Sequence, residues 1–106
     1  MIEVCLSFDF IRGFDDEVYS KWTKKAIVVL LKSPGIIEFR AHRNLFGSPL
    51  VRLTSDWAKL SDWARFAESP EWLALMDELR RFFAQNIAVC IWGASPIAPE
   101  PLRPSR

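Results

Sequence analysis

Residues 33–57 read SPGIIEFRAHRNLFGSPLVRLTSDW, and this stretch decides the fold. Ser33-Pro34-Gly35 ends a preceding helix, because proline disfavours helical geometry in the residue before it and glycine permits a turn. Two segments with a period of two follow, which predicts two strands. Gly47-Ser48-Pro49 lies between them and is typical of a hairpin-like turn. We therefore expect the two strands to be antiparallel neighbours.

Both strands of this hairpin have two chemically different faces, because successive side chains point to opposite sides of a strand. The mainly apolar parity holds Ile37, Phe39, Ala41, Val51, Leu53 and Ser55. The polar parity holds Glu38, Arg40, His42, Arg52, Thr54 and Asp56. We expect helices to pack against the apolar parity only.

Helical periodicity flanks the hairpin on both sides. Asp15 or Asp16 can cap a first helix. Its apolar positions, spaced by three and four, are Val18, Trp22, Ala26, Val29 and Leu30. A short helix begins near Lys59 and halts at Ser69-Pro70, where serine is a natural cap and proline fits the first position of a further helix. The buried stripe of that further helix is expected to be Trp72, Leu75, Met76, Leu79, Phe82 and Phe83.

Two more alternating segments lie at the ends of this pattern. Residues 2–10 form one strand, and a fourth strand follows Asn86 and ends at Gly93. Their polar parities hold Glu3, Cys5, Ser7, Asp9, Cys90 and Trp92. The order strand, helix, strand, strand, helix pair, strand predicts an α+β fold of the ferredoxin-like βαββαβ type, with a four-stranded antiparallel sheet and helices on one face.

The composition fits one soluble domain with an appended arm. The chain has 106 residues, of which 50% are hydrophobic and 25% charged, and this length leaves too little chain for two cores. We expect a domain over residues 1–93 and a Pro-rich arm over residues 94–106. The arm cannot continue a helix or a central strand, because it contains Pro96, Pro99, Pro101 and Pro104. It is either a frayed tail or an arm that lies across a partner subunit, and Ile97 and Leu102 favour the second interpretation.

Charge, cysteines and histidine argue against several classes of function. A formal net charge of +1 gives no reason to expect a nucleic-acid partner, and no apolar stretch approaches the roughly 20 residues of a membrane span. The two cysteines, Cys5 and Cys90, fit free thiols in a reducing cytoplasm better than a disulfide scaffold. Because they share the polar parity of neighbouring strands, a redox pair is the alternative to two unreactive thiols. His42 is the single histidine and no metal-binding motif accompanies it, so we expect no metal.

The run WAKLSDWARFAESPEW, residues 57–72, follows the Ser33-Pro34-Gly35 break and the hairpin. In this setting it resembles the dimeric α+β barrel superfamily, specifically the antibiotic biosynthesis monooxygenase-like group. The resemblance spans roughly residues 1–93. It implies a homodimer in which two four-stranded sheets pack face to face, so that the polar parity lines a barrel-shaped cavity. It also implies that no cofactor is needed.

The resemblance implies a cofactor-independent oxygenase that binds a small aromatic or polyketide-like molecule, either between the two sheets or between sheet and helices. His42 is the candidate acid or base, because its unperturbed pKa is near neutral. Arg40 and Arg52 lie on adjacent strands with the same parity and are expected to hold an anionic oxygen. The expected ligand contacts are Glu38, Asp56, Trp57 and Trp92.

Other interpretations stay open. The protein is alternatively a non-catalytic ligand-binding or accessory protein of the same fold. In a purely structural account, an interfacial charge network fixes the pairing of the dimer, and its members are Glu38, Arg40, Arg52 and Asp56. Haem degradation is disfavoured, because Trp72 stands where that branch of the family places its histidine ligand. His42 is not expected to bind iron, since a lone histidine more often makes ordinary hydrogen bonds.

Overall fold

The computed structural model describes residues 1–105. Its elements are β1 (Ile2–Phe10), α1 (Asp16–Leu31), β2 (Ile36–Arg43), β3 (Val51–Trp57), α2 (Leu60–Ala67), α3 (Pro70–Glu78), a π-helical turn (Leu79–Phe83) and β4 (Ala84–Trp92). The strands form one four-stranded antiparallel sheet in the order β2-β3-β1-β4, which confirms the predicted α+β, ferredoxin-like fold. Residues 93–105 contain no helix or strand. Among residues 1–105, no helix has the length and apolar character needed to cross a membrane.

The helices begin where the sequence places their caps. The Asp15 carboxylate accepts hydrogen bonds from the backbone N–H groups of Glu17 at 2.9 Å and Val18 at 3.1 Å. The Ser69 hydroxyl accepts one from the backbone N–H of Trp72 at 3.3 Å. These contacts satisfy N–H groups that the first turn of a helix leaves without an intrahelical partner, so they fix the starts of α1 and α3.

The helices pack on one face of the sheet, which we call the helix side, and the core lies between helices and sheet. They leave the second half of the edge strand β4 uncovered, where Val89 and Ile91 are 52% and 48% exposed. The large buried side chains of the core include Val4, Leu6, Phe8, Trp22, Val51, Trp57, Leu75, Leu79 and Phe83. Trp22 joins α1 to α3, because its Nε1 donates to the carbonyl of Leu75 at 3.0 Å. Removal of this apolar area from water is the main interaction that stabilises the fold.

The chain passes from α1 into β2 at Gly35, whose φ of +90° lies in the left-handed region. A Cβ at this position would lie 2.4 Å from the Cγ of Asp62 in α2. The Gly35 carbonyl also accepts a hydrogen bond from the N–H of Ala58 at 2.8 Å. Glycine therefore permits both the turn and the close approach of α2.

Three predicted core positions and one predicted boundary differ from the structure. Val18, in the first turn of α1, is 50% exposed, and Ile37 and Phe82 are each 55% exposed. Ile37 lies where the β2–β3 register shifts. Phe82 lies in the π-helical turn, where the wider spacing moves its side chain off the stripe that α3 buries. β4 begins at Ala84 rather than after Asn86, because the strand continues across a register shift where Asn86 takes a φ of 55°.

Candidate functional site

The face of the sheet opposite the helices carries most of the polar strand residues, and we call it the open face. Directly paired residues of neighbouring strands point to the same side, so the register arranges the open face in rows that run from β2 to β4. The carboxylate row consists of Glu38, Asp56, Glu3 and Trp92. The thiol row consists of Arg40, Thr54, Cys5 and Cys90. The histidine row consists of His42, Arg52, Ser7 and Ala88.

The open face brings together most of the residues expected in the site. These are Glu38, Arg40, His42, Arg52, Asp56 and Trp92. Trp57 lies on the helix side instead, where it is fully buried, with its ring centroid 5.7 Å from that of Trp63 and 5.3 Å from that of Phe66. Its Nε1 donates to the Ser55 hydroxyl at 2.9 Å. Trp57 shares the parity of Ser55 and is a core residue rather than a cavity wall.

Arg40 is held by the carboxylate row. Its guanidinium donates to Asp56 Oδ2 at 3.1 Å, pairs with the Glu38 carboxylate and lies 3.6 Å from Glu3 Oε2. The side chain therefore reaches from β2 over β3 to β1. The hydrogen bond to Asp56, the charge of Asp56 and the neighbouring Glu38 raise the pKa of Arg40. Three members of the expected charge network thus contact one another within a single chain, and Arg52 is not among them.

The Arg40 side chain contacts Asp56 and is the cross-strand partner of Thr54, both in β3. Asp56 is 7% exposed and Thr54 is 4% exposed, although both lie on the side of the sheet that the helices leave uncovered. Among residues 1–105, the Thr54 hydroxyl is buried without a hydrogen-bond partner. A buried hydroxyl in that state costs about 1–3 kcal/mol. The thiol row therefore contains one hydroxyl, that of Thr54, whose hydrogen-bonding capacity is not used within the described residues.

The histidine row borders a concavity at the β2–β3 hairpin. Its volume is about 430 Å³, and it is lined by His42, Arg43, Asn44, Leu45, Pro49 and Arg52. His42 and Arg52 are direct cross-strand partners and both are exposed. Within residues 1–105, no carboxylate oxygen lies within 4.0 Å of the Arg52 guanidinium. The concavity has the size of a small-molecule site, and its charged lining residues are all basic.

Asp9 fixes the loop beside this concavity. Its carboxylate accepts hydrogen bonds from the Ser48 hydroxyl at 2.7 Å, the Leu50 N–H at 2.9 Å and the Asn86 side-chain amide at 3.2 Å. The hydrogen bonds from Ser48 and then Asn86 lower the pKa of Asp9. The sequence placed Asp9 on the polar parity but did not predict this role. One feature of the sequence could have indicated this role: Asp9 lies near the end of a strand, in a chain whose turns contain polar residues that can donate to a carboxylate.

Cys5 and Cys90 are direct partners in β1 and β4. Both thiols are free; Cys90 is exposed and Cys5 is partly buried. Burial raises the pKa of the Cys5 thiol, and the positive charge of Arg52 opposes that rise. Within residues 1–105, no three His, Cys, Asp or Glu side chains are grouped so that they could hold a metal ion.

The histidine row combines a titratable group with a permanent cation. His42 offers a ring nitrogen that can accept a proton from a bound acid, and Arg52 can hold the resulting anion with several N–H donors. Trp92, 59% exposed at the end of β4, adds an aromatic surface in the carboxylate row. The histidine row can therefore bind a negatively charged molecule, whereas Trp92 lies two rows away on the opposite edge strand.

Comparison with solved structures finds proteins of the same fold. SnoaB, a cofactor-independent oxygenase from Streptomyces nogalater, matches with a TM-score of 0.75 and 13% identity over 93% of this chain and 97% of SnoaB. A candidate antibiotic biosynthesis monooxygenase from Deinococcus radiodurans matches with a TM-score of 0.77 and 11% identity over 100% of both chains. A dimeric protein of unknown function and ferredoxin-like fold from Bacteroides fragilis matches with a TM-score of 0.67 and 18% identity over 86% of this chain and 93% of that one.

These matches establish that the chain has the fold of antibiotic biosynthesis monooxygenase-like and other ferredoxin-like proteins, which confirms the resemblance at the level of the fold. No family model matches the sequence. No curated protein matches it significantly.

Proposed function

We propose that the chain is a homodimeric, cofactor-independent oxygenase that binds a small aromatic anion between the open faces of two sheets. The observation that carries this proposal is the pairing of His42 with Arg52 beside a concavity of about 430 Å³ whose charged lining residues are basic. The fold shared with SnoaB, itself a cofactor-independent oxygenase, supports the same reaction class.

Exposed apolar residues at the edges of the open face support the homodimer. Trp92 is 59% exposed, and Leu45 and Phe46 at the tip of the β2–β3 hairpin are 96% and 95% exposed. Exposed apolar side chains at both ends of the open face favour a covered state, because covering them removes them from water. A second copy is a suitable cover, since a two-fold arrangement of opposed sheets can place the carboxylate row of one chain near the histidine row of the other.

The C-terminal arm contributes to the same proposal. Ile97 and Leu102 are 94% and 81% exposed, so both apolar side chains are available to a partner subunit. We place the arm, residues 94–106, across that partner; its last residue lies outside the described residues. We also place the dimer in the cytoplasm, where both thiols stay reduced under ordinary conditions.

The proposed reaction needs a substrate with an activated methylene group on an aromatic framework. His42 removes a proton from that carbon, and Arg52 stabilises the oxygen to which the negative charge moves. The carbanion then donates electrons to O₂. One oxygen atom becomes the carbonyl oxygen of the product, and the other leaves as water with the two methylene hydrogens. The substrate itself is the reductant, so no external electron donor is needed.

Arg40 has a positioning role in this proposal. Its guanidinium is engaged by Glu3, Glu38 and Asp56, so it is less available than Arg52 to a ligand. Glu38 and Asp56 then act on the ligand indirectly, by holding Arg40 flat against the sheet. This arrangement separates the charge network, which shapes the open face, from the pair that contacts the ligand.

A second candidate function is ligand binding without a reaction. Within residues 1–105, the His42 side chain has no hydrogen-bond partner that would orient its ring. A general base is commonly oriented by a further group, so this observation favours a binding protein over an enzyme.

The decisive experiment measures oxygen consumption with a panel of hydroxylated aromatic compounds that carry an activated methylene group. The wild type is expected to consume one O₂ for each substrate molecule. His42→Ala is expected to keep binding and to lose at least about 10²-fold in turnover, whereas Arg52→Gln is expected to lose binding. Lys24→Gln, which removes an exposed cation on α1, is the matched control and should behave as the wild type.

Two results would change the assignment. Binding by the wild type without oxygen consumption would favour the non-catalytic function, and unchanged turnover in His42→Ala would remove His42 from the mechanism. The homodimer has its own measurement. Sedimentation at micromolar concentration should give about twice the chain mass of 12.2 kDa, and a monomer there would contradict the enclosed site.

A further inference from the structure

We propose that Cys5 and Cys90 form a reversible disulfide bond between β1 and β4 in response to peroxide. The two residues are direct cross-strand partners on the open face, and both thiols are free. The bond joins two residues of one sheet of one chain, so it does not depend on the oxygenase function. In the proposed dimer both cysteines face the space between the two sheets, which peroxide enters as a small ligand does.

The register brings the two thiols within bridging reach. Directly opposed residues of antiparallel strands have Cα atoms about 4.5 Å or about 5.5 Å apart, depending on the hydrogen-bonding position. Both separations lie within the range of about 4.4–6.8 Å that a disulfide bond accepts. The two side chains also leave the sheet on the same face. Joining them therefore requires no change in the register of the strands.

The expected bond is a labile one. Cβ atoms of directly opposed residues are about 4.5–5.5 Å apart, whereas an unstrained disulfide bond prefers about 3.8 Å. Closing that difference strains the bridge, and strained disulfides are more easily reduced than structural ones. A bond of this kind suits reversible oxidation rather than permanent stabilisation of the sheet.

The two thiols differ in access, which sets the order of reaction. Cys90 is exposed on the edge strand β4, so peroxide reaches it first. Cys5 is partly buried between Thr54 and Cys90, and burial raises its pKa, so it is the resolving thiol. The nearby Arg52 guanidinium offsets part of that rise in pKa, which helps Cys5 to supply the thiolate that the second step requires.

The reaction balances with peroxide as the oxidant. The Cys90 thiolate attacks one oxygen of hydrogen peroxide, the O–O bond breaks, hydroxide leaves and a sulfenic acid forms. The Cys5 thiolate then attacks the Cys90 sulfur, the S–O bond breaks and a second hydroxide leaves. In total, two thiols are oxidised to one disulfide and one peroxide is reduced to two waters. A small dithiol reverses the bond by thiol–disulfide exchange.

The experiment treats the purified full chain with a small excess of hydrogen peroxide and counts the remaining thiols with a chromogenic disulfide reagent. The wild type is expected to lose both reactive thiols, to lose the mass of two hydrogen atoms, and to regain both thiols after treatment with dithiothreitol. A proteolytic digest without reductant should contain one linked pair of peptides, one with Cys5 and one with Cys90. On a non-reducing gel the oxidised chain should still run at the mass of a single chain.

Single variants separate the two steps. In Cys5→Ser, the Cys90 sulfenic acid should persist and react with dimedone; in Cys90→Ser, no intrachain bridge should form. Circular dichroism verifies that each variant is folded, and the peptide digest of the wild type needs no variant at all. A covalent dimer through Cys90, two thiols that survive peroxide, or oxidation beyond the sulfenic acid without a bridge would each overturn the proposal.

Discussion

The two sides of this one sheet are held by different interactions. On the helix side, Trp57 and Phe8 are fully buried and contact other aromatic rings. On the open side, Asp56 is buried and its carboxylate accepts a hydrogen bond from a single charged side chain, that of Arg40. The helix side thus depends on apolar area removed from water, and the open side on one ionic group. Substitutions on the helix side should reduce folding stability, whereas those on the open side should mainly reduce binding and assembly.

The two arginines of the open face show the same contrast on a smaller scale. Arg40 and Arg52 lie one row apart on neighbouring strands. Arg40 contacts three carboxylates, whereas Arg52 has no carboxylate partner within residues 1–105. Two arginines on one face therefore differ in their availability to a ligand, because carboxylates surround Arg40 and not Arg52.

The largest expected effect comes from removing a tryptophan on the helix side. Trp57→Ala should lower the free energy of unfolding by about 3–5 kcal/mol, because it leaves a cavity among Trp63 and Phe66. Trp92→Ala on the open side is the matched control, and its effect should stay within about 0.5 kcal/mol. Urea denaturation followed by circular dichroism measures both. Equal losses in the two variants would show that the two sides do not differ as described.

A second substitution tests how closely the helices approach the sheet. Gly35→Ala should destabilise the chain by at least about 1–3 kcal/mol, because an L-residue is strained at a φ of +90°. The added Cβ would also clash with Asp62, 2.4 Å away. Gly13→Ala isolates the strain, since Gly13 has a φ of +79° and no heavy atom within 4 Å of the added Cβ. If Gly13→Ala lost as much folding stability as Gly35→Ala, backbone strain alone would account for both, and the contact with α2 would contribute nothing.

Alternation along the strands was sufficient to predict the side on which most site residues lie. Glu38, Arg40 and His42 lie on one face because the period of two is fixed by the strand backbone itself. Trp57 was predicted as a ligand contact, because it lacks the helical spacing that places most of the other tryptophans in the core. Its parity with Ser55 indicates the helix side, where the structure buries it.

Contacts that depend on side-chain conformation were beyond the sequence. Parity places Arg40 and Arg52 equally on the open face, but only the register shows that Arg40 can reach over β3 to Glu3. Asp9 contacts residues about 40 and about 77 positions away, so no local pattern marks its role. Long-range contacts of this kind arise from the way the strands pair, and a single sequence does not encode them in any periodicity.

The acid dependence of stability tests the contribution of Asp9 at the hairpin end of the open face. The pKa of Asp9 is lower in the folded chain than the ordinary value of 3.8. Its hydrogen bonds therefore stabilise the fold above that value, and this contribution is lost as the pH falls through the lower pKa of the folded state. Asp9→Asn should unfold at lower urea than the wild type near neutral pH, and the difference should shrink at pH about 2–3.

The control for Asp9 is a carboxylate outside the open face. Asp16→Asn changes an exposed residue in the first turn of α1. The difference in stability between this variant and the wild type should not depend on pH in the way expected for Asp9→Asn. If the two variants lose stability in parallel over the same pH range, then the hydrogen bonds of Asp9 to the hairpin contribute nothing specific.

The smallest expected change in stability is that of Arg52→Gln, which should stay within about 0.5 kcal/mol because the side chain is exposed. Arg40→Gln should destabilise more, since it leaves the buried Asp56 carboxylate without its cation. Binding should show the reverse order: Arg52→Gln should abolish the affinity for an aromatic carboxylate or phenolate, and Arg40→Gln should retain most of it. Calorimetric titration at two salt concentrations measures this, because the Arg52 contribution should weaken as salt screens it. If Arg40→Gln lost more affinity than Arg52→Gln while both variants stayed folded, the charge network rather than the histidine row would be the ligand site.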